Sequence, residues 1–499
     1  MPTTLVPVSK NATKFISTPK KMLINGEWVE ADSGERKETR NPATGEVITT
    51  FREGGVEDID RAVAAARKAF EEGPWPKMKP NERAKLLLDL ADLMEENGEE
   101  LSHLETLDNG GPIGVTAAFV DLSVNNLRYF AGWATKVTGE TIPVSNPGNV
   151  FNYTRREPLG VIGGITAWNG PLYMAILKLS APLATGNTVV LNPASNTPLT
   201  TLRLGELIQE AGFPDGVVNI VTGSGSKAGA RLSEHPDVDK ISFTGSTAVG
   251  KQIIQASAGN VKKTSLELGG KSAHIIFADA NYEQALENAA NAVFFNSGQA
   301  CIAGSRLFVE NKIYDQFMSD LADYAEKNFT IGNGFDQSAM MGPLISAKQK
   351  DQVLAYIDIG QKEGGEVLFG GDATGSEFAN GHFVKPTVLA NITNEMTIAR
   401  EEIFGPVVSG MPFTDIDEVI KLANQSIYGL GGGISTTNLS KAHRVAHGLR
   451  TGNIWINTYN LLDPATPYGG YKQSGLGREN GKAAIDMFTE EKSIWVNLD

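Results

Sequence analysis

Cys301 is the only cysteine among 499 residues, and its surroundings, Asn296-Ser-Gly-Gln-Ala-Cys-Ile-Ala-Gly304, are small and polar on both sides. Such a setting keeps a thiol reachable and leaves its backbone N–H free to donate, and once ionised the sulfur is a nucleophile. The competing reading of a lone cysteine is a small buried hydrophobe. One thiol can form neither an intramolecular disulfide nor a multi-thiolate metal site within the chain, which points to a reducing compartment. A second candidate is Glu267 in Leu266-Glu-Leu-Gly-Gly-Lys271. An acid between leucines just after a strand pattern is partly desolvated and usable as a general base, unless it makes a surface salt bridge. None of the six histidines is near Cys301 in sequence, so a Cys–His dyad needs tertiary contact. His443 and His447 stand four apart on a helical pattern without a third ligand motif. They read as a solvated helix face, and no metal is expected.

Two glycine loops could hold phosphate. Thr244-Gly-Ser-Thr-Ala-Val-Gly-Lys251 follows a strand pattern and opens a helix, where backbone N–H groups cradle anions. Gly245 to Lys251 nearly matches a P-loop, but Gln252 stands where a Ser or Thr hydroxyl must bind magnesium, which ranks the NTPase reading low. Gly223-Ser-Gly-Ser-Lys-Ala228 fits the loose dinucleotide fingerprint. Each loop alone is equally an ordinary strand-to-helix turn.

The elements that must position these residues are legible as patterns. Met22 to Val29 has two short apolar runs around Asn25-Gly26, a hairpin signal. Val56 to Phe70 and Asn81 to Leu107 have apolar residues at three and four spacings, as amphipathic helices do. From Pro158 the runs Leu159 to Ala167, Thr188 to Leu191, Val217 to Val221 and Asp239 to Phe243 are short, apolar and β-branched, and helical patterns separate them. Buried parallel strands read this way, so the fold class is α/β with a doubly wound sheet. A second alternating region follows, with strands at Ser272 to Phe277, Arg306 to Val309, Val407-Val408 and Gly452 to Asn457. The first 20 residues read as a loose arm, and Glu267 to Gly270 as a hinge between the two regions.

Composition bounds the function classes. With 41% hydrophobic and 20% charged residues, the chain is globular. Its 58 acidic against 44 basic residues give a net charge of -14, which disfavours nucleic acid and anionic membranes as partners. No apolar run is long enough to span a bilayer and the N-terminus has no hydrophobic signal region, so a cytoplasmic location is expected.

Taken together, the motifs resemble those of the aldehyde dehydrogenase superfamily from about Met22 to the C-terminus. The resemblance rests on Ala167-Trp-Asn169, Phe243 to Gly250, Leu266 to Lys271, Asn296 to Cys301, Glu401-Glu-Ile-Phe-Gly-Pro406 and Tyr468-Gly-Gly-Tyr-Lys-Gln-Ser-Gly475, in the family's order. It implies two doubly wound α/β domains and a small β element for oligomerisation. An arm (1–21) would precede an NAD(P)-binding domain (22–139 and 159–269) and a catalytic domain (270–484). The segments 140–158 and 485–499 would join subunits into a homodimer or homotetramer.

By the same resemblance, Cys301 attacks a small-molecule aldehyde, Asn169 and the Cys301 N–H hold the oxyanion, and Glu267 activates the water that cuts the thioester. Lys178 and Glu479 support the proton path. The cofactor is NAD, with NADP tolerated. Its contacts would be Thr166, Trp168, Asn192, Ser195, Gly225, Gly229, Phe243, Gly245, Ser246, Val249, Leu268, Gly269, Gln349, Glu402 and Phe404. Asn192 stands where the family usually has a ribose-binding lysine, and Ser195 where NAD-preferring relatives commonly have a glutamate. The substrate walls would be Gly170, Tyr173, Met174, Leu177, Ala300, Ile302, Leu462 and Tyr468, a mostly apolar set suited to aliphatic or aromatic aldehydes. Tyr173, Trp455, Tyr459 and Tyr468 could also offer aromatic faces to a cationic aldehyde. A non-catalytic relative with weakened cofactor affinity is the alternative, and a cofactor-free thiol esterase a third reading.

Overall fold

The computed structural model of the protein describes residues 5–373, 375 and 378–499. Its first sheet has eight strands. Five run parallel: Val161–Ile165, Thr188–Asn192, Val218–Ile220, Lys240–Thr244 and Lys263–Glu267. Numbered along the chain, they lie in the order 3-2-1-4-5, so the winding reverses between Val161–Ile165 and Lys240–Thr244. In open α/β sheets a crevice forms at this reversal, beyond the carboxyl ends of the strands. Gly163 and Gly164 lie in the central strand because neighbours crowd it: a Cβ on Gly163 would lie 2.6 Å from Ile241 Cδ1.

The edges of this sheet are antiparallel. On one side is the hairpin Met22–Ile24 and Glu27–Val29, whose turn residues Asn25 and Gly26 both have positive φ (53° and 77°), the geometry of a type I′ turn. On the other, Gly475–Leu476 returns from the far end of the chain to pair with Leu266 and Glu267. The helix Val56–Glu71 covers one face, burying Ile59, Ala62, Val63, Ala66 and Ala69 at helical spacing. The helix Pro171–Thr185 is buried almost throughout, starts with Pro at its first position and stops at Gly186, φ 93°.

The second sheet has seven strands. Six are parallel, in the spatial order Val384–Ala390, Val407–Phe413, Arg306–Glu310, Ala273–Ile276, Gly431–Ser435 and Asn453–Ile456. Glu366–Asp372 pairs antiparallel at one edge. The segment after Glu267 leads directly from the first sheet into the second. A third sheet pairs Thr489–Asn497 with Val150–Pro158, and the latter with Thr141–Ile142. It leaves Trp495, Phe151 and Ile142 exposed.

Two sequence expectations need correction. Part of the expected loose arm is a docked helix, Lys10–Ile16, which buries Ala12 and Phe15, while the Ser9 N–H donates to His103 Nδ1 at 2.9 Å. Its few apolar residues were too sparse to show a period. The helical stretch expected from Asn81 to Leu107 is two helices, Pro80–Glu96 and Gly98–Asn109, broken at Asn97.

Candidate active site

Cys301 follows a tight turn, Phe295–Gly298, in which Asn296, Ser297 and Gly298 have φ of 50°, 55° and 71°. A Cβ on Gly298 would lie 2.1 Å from the Gly405 carbonyl oxygen, so no larger residue fits. Hydrogen bonds fix the turn. Ser297 Oγ donates to the Gly342 carbonyl (2.8 Å), Asn296 Nδ2 to the Asn169 carbonyl (2.8 Å), and Gln299 Oε1 accepts from the Ile345 N–H (2.9 Å). The half-buried sulfur faces a cavity, 3.2 Å from Tyr468 Oη. Burial raises the thiol pKa above its ordinary value; the Tyr468 hydrogen bond opposes the rise, while the Glu402 and Glu267 charges add to it.

Asn169, Glu267 and Glu479 are among the polar groups that share that cavity with the sulfur. Asn169 Nδ2 donates to the Gln299 carbonyl at 2.9 Å, which fixes the amide plane and leaves its second N–H free. Glu267 ends a strand of the first sheet, and both its oxygens are buried without a hydrogen-bond partner. Burial raises its pKa well above the ordinary carboxylate value; Glu479 adds to the rise, and Lys178 and Arg478 oppose it. Behind it Lys178, from the buried helix, forms an ion pair with Glu479, both side chains being almost wholly inaccessible. Glycines make room for this cluster. A Cβ on Gly270 would lie 2.2 Å from the Cys301 carbonyl oxygen, and one on Gly269 would lie 2.2 Å from Glu402 Oε2.

A larger cavity of about 820 Å³ opens at the reversal of the first sheet. Thr166, Trp168, Asn192, Ser195, Gly225, Gly229, Phe243, Gly245, Ser246 and Val249 all line it, so both glycine loops face one space. The helix Thr247–Ser257 points its N-terminus there, with Ser246 Oγ accepting from the Val249 N–H. At the junction with the second sheet, half-buried Glu402 accepts from the Gly270 N–H at 2.9 Å, and desolvation pushes its carboxyl up to about 7. The Phe404 and Trp168 rings meet edge to face at 5.1 Å. Gln349 Nε2 donates to the Ile403 and Phe404 carbonyls (3.1 and 2.9 Å), so its amide braces this backbone and only Oε1 remains to reach a ligand. Thr244 lines both cavities, which therefore adjoin.

The aldehyde dehydrogenase family model matches residues 28–494. The chain is 49% identical to the cytosolic aldehyde dehydrogenase 1 of Rattus norvegicus over 482 residues, 96% of this chain and 95% of the relative. The NAD+ complex of an aldehyde dehydrogenase from Bacillus cereus superposes with a TM-score of 0.97 at 49% identity, covering 99% of this chain and all of that one. The NAD+ complex of betaine aldehyde dehydrogenase from Staphylococcus aureus gives a TM-score of 0.96 at 42% identity, covering 98% of this chain and 97% of that one. The chain belongs to the aldehyde dehydrogenase family.

Within this aldehyde dehydrogenase fold, the smaller cavity of about 340 Å³ is lined by Asn169, Tyr173, Met174, Leu177, Glu267, Ala300, Cys301, Ile302, Leu462, Tyr468 and Glu479. Gly170 does not line it; instead a Cβ there would touch the Phe119 ring at 3.6 Å. Trp455 and Tyr459 are buried, and their ring centroids are 4.9 Å apart. Their polar atoms donate to the Leu461 and Ile302 carbonyls, and neither lines the cavity, so they offer no face to a cationic substrate. Sequence reading missed Ala118, Phe119 and Leu122, which project from one side of the helix Ile113–Ala131, together with Phe295 and Leu461. No motif marks them; the sole signal is an apolar stripe, which reads equally as core.

Asn192 and Ser195 converge on one acceptor. Asn192 Nδ2 donates to the Val221 and Gly223 carbonyls (2.8 and 3.3 Å), and Ser195 Oγ donates to the Gly223 carbonyl at 2.9 Å. The Asn192 amide N–H groups are thus engaged by backbone, and its Oδ1 alone is free for a ribose hydroxyl. Among the described residues no group of three or more His, Cys, Asp and Glu could hold a metal ion, and no helix is long and apolar enough to cross a membrane.

Proposed function

We propose that the protein oxidises apolar aliphatic or aromatic aldehydes to carboxylic acids with NAD, through a thioester on Cys301. One observation carries this reading. A thiol, a carboxamide and an unpartnered carboxylate converge on an apolar cavity that adjoins, at Thr244, a larger space suited to a dinucleotide.

The residues present fit NAD. The helix N-terminus at Ser246 and the loop at Gly225 and Gly229 suit the pyrophosphate, Asn192 Oδ1 the adenosine ribose, and the Glu402 carboxylate the nicotinamide ribose. Bound NAD supplies the carbon that accepts a hydride from the thiohemiacetal. With neither a lysine at 192 nor an acid at 195, nothing at these two positions attracts or repels a 2′-phosphate, so NADP is tolerated.

Cys301, as thiolate, forms the C–S bond, and the carbonyl π electrons move to oxygen. That oxyanion accepts from Asn169 Nδ2 and from the Cys301 N–H, which among the described residues donates to no backbone carbonyl. After hydride loss, Glu267 takes a proton from water, the hydroxide adds to the thioester carbon, and the C–S bond breaks to release the acid and the thiolate. Lys178 and Glu479 carry that proton onward. The protein works in the cytoplasm as a homodimer or homotetramer, joined through the three-stranded sheet whose Trp495, Phe151 and Ile142 are exposed.

Purified protein given aliphatic, aromatic and cationic aldehydes with NAD and NADP in parallel is expected to reduce NAD with the first two classes. No reduction with any aldehyde, alongside cofactor-independent ester cleavage, would replace this reading with a thiol esterase.

A further inference from the structure

Tyr468 enters the substrate cavity as one apolar wall, yet its hydroxyl lies 3.2 Å from the Cys301 sulfur and has no other hydrogen-bond partner among the described residues. The contact is built into the fold. The Tyr468 N–H donates to the Glu479 carbonyl (2.7 Å) and the Glu479 N–H to the Tyr468 carbonyl (2.8 Å). The same Glu479 is held by Lys178. The ring is therefore pinned at its backbone to the most deeply buried ion pair beside the site.

We propose that Tyr468 is a catalytic residue whose hydroxyl donates a hydrogen bond to the Cys301 sulfur, stabilising it as the attacking thiolate and again as the thiolate that leaves the thioester. The inference rests on the reading of Cys301 as nucleophile. No histidine lines this cavity. The charged and titratable groups that face the sulfur are Glu267, Glu402, Tyr468 and Tyr459. The two carboxylates repel a thiolate, and Tyr459 Oη donates to the Ile302 carbonyl. Tyr468 is the one that hydrogen-bonds the sulfur. Burial and the neighbouring Cys301 and Glu267 charges keep the Tyr468 hydroxyl protonated, so against an anionic sulfur it acts as donor.

The step balances. The S–H proton leaves to water at the half-exposed sulfur, a sulfur lone pair forms the C–S bond, and the carbonyl π pair moves to the oxygen beside Asn169. As the sulfur loses its charge, the Tyr468 hydrogen bond weakens. When the thioester is cut, the bond strengthens again on the departing sulfur, so the interaction favours the charged form at both ends of the cycle.

The test is Tyr468→Phe, which removes the hydroxyl and keeps the ring. A hydrogen bond to an ionised group is worth about one to two pH units of thiol acidity. The ultraviolet absorbance of the Cys301 thiolate, taken as the difference from Cys301→Ser, should rise at a pH about one to two units higher in the variant than in the native protein. Alkylation by iodoacetamide without cofactor or aldehyde should slow by about 3–12-fold at neutral pH, because thiolate fraction falls faster than intrinsic nucleophilicity rises. Phe119→Leu, which changes the same wall without touching sulfur, should leave the absorbance edge in place. An unmoved edge in Tyr468→Phe overturns the proposal, even if aldehyde oxidation slows, since the hydroxyl would then act elsewhere. A shifted edge in a protein that reduces no NAD with any aldehyde would uphold Tyr468 and remove the dehydrogenase reading instead.

Discussion

The two cavities that meet at Thr244 are built on opposite plans. The larger takes its walls from contiguous pieces of chain: the strand end Ile165 to Trp168, the run Asn192 to Asn196, the stretch Gly225 to Glu234, and the loop and helix from Phe243 to Ala256. The smaller draws on the helix Ile113–Ala131, the helix Pro171–Thr185, the turn before Cys301 and the loop from Asn460 to Leu462, with Tyr468 and Glu479 beyond it. Backbone and small side chains shape the first, so local motifs specify it. Large side chains from distant segments shape the second, so packing specifies it. A binding space for a shared ligand can be written in short motifs, whereas a space that selects among substrates is free to vary one wall at a time.

If this division holds, damage to the smaller cavity stops chemistry and spares cofactor binding. The largest expected effect is that of Cys301→Ala: aldehyde oxidation falls to background, while NAD still quenches tryptophan fluorescence through Trp168 with unchanged affinity. Loss of both would mean that the cavities are not separable. Next comes Glu267→Gln, for which steady-state turnover should drop by about 10²–10⁴-fold while a first-turnover burst of reduced cofactor persists. Absence of that burst would place Glu267 in the first half-reaction alone. In the native protein deacylation needs the Glu267 carboxylate, whose pKa is raised by burial first and by Glu479 second. Activity is therefore lost as pH falls through a point above the ordinary carboxylate range. Because Lys178 holds that pKa down, Lys178→Met should move the acid limb still higher, as a pH–rate profile would reveal.

The same division explains how much was legible beforehand. The parallel strands of the first sheet were readable because burial on both faces makes them continuous apolar runs, as in Val161–Ile165 and Thr188–Asn192. The sequence quotes both glycine loops, Cys301 and Glu267 directly, since each depends on neighbours within a few residues. Phe119 and Leu122 carry no such mark. Their role comes from packing between distant segments, as where the Tyr173 ring stacks beside Phe119 with centroids 6.5 Å apart. The thiol contact of Tyr468 was hidden likewise, since 167 residues separate it from Cys301. Asn192 stands where the resemblance implies a cofactor contact, but its neighbours, the Val221 and Gly223 carbonyls, engage the amide N–H groups, which no local motif reveals.

A wall of the smaller cavity should also be adjustable without cost to the larger. Phe119 is in contact with the Tyr173 and Phe295 rings. Truncating it to Ala should widen the passage and raise kcat/KM for bulky aromatic aldehydes relative to short aliphatic ones by about tenfold, with the KM for NAD unchanged. An equal change for both aldehyde classes would argue that Phe119 supports the fold and does not select substrate.

The smallest expected effect concerns the larger cavity. Ser195 Oγ donates to the Gly223 carbonyl, and Asn192 Nδ2 reaches the same oxygen, so this corner is neutral and internally satisfied. Ser195→Glu would introduce a full negative charge at a partly exposed site. At a separation of about 4 Å in high dielectric, repulsion of a 2′-phosphate amounts to about 1 kcal/mol, or roughly fivefold in affinity. The variant should therefore discriminate against NADP by that factor, more at low ionic strength than at high, while kcat with saturating NAD stays constant because nothing near Cys301 has changed. Should Ser195→Glu instead alter kcat with NAD or the ratio of aldehyde substrates, the cavities would be coupled through Thr244, and the separation of their designs would be one of sequence only.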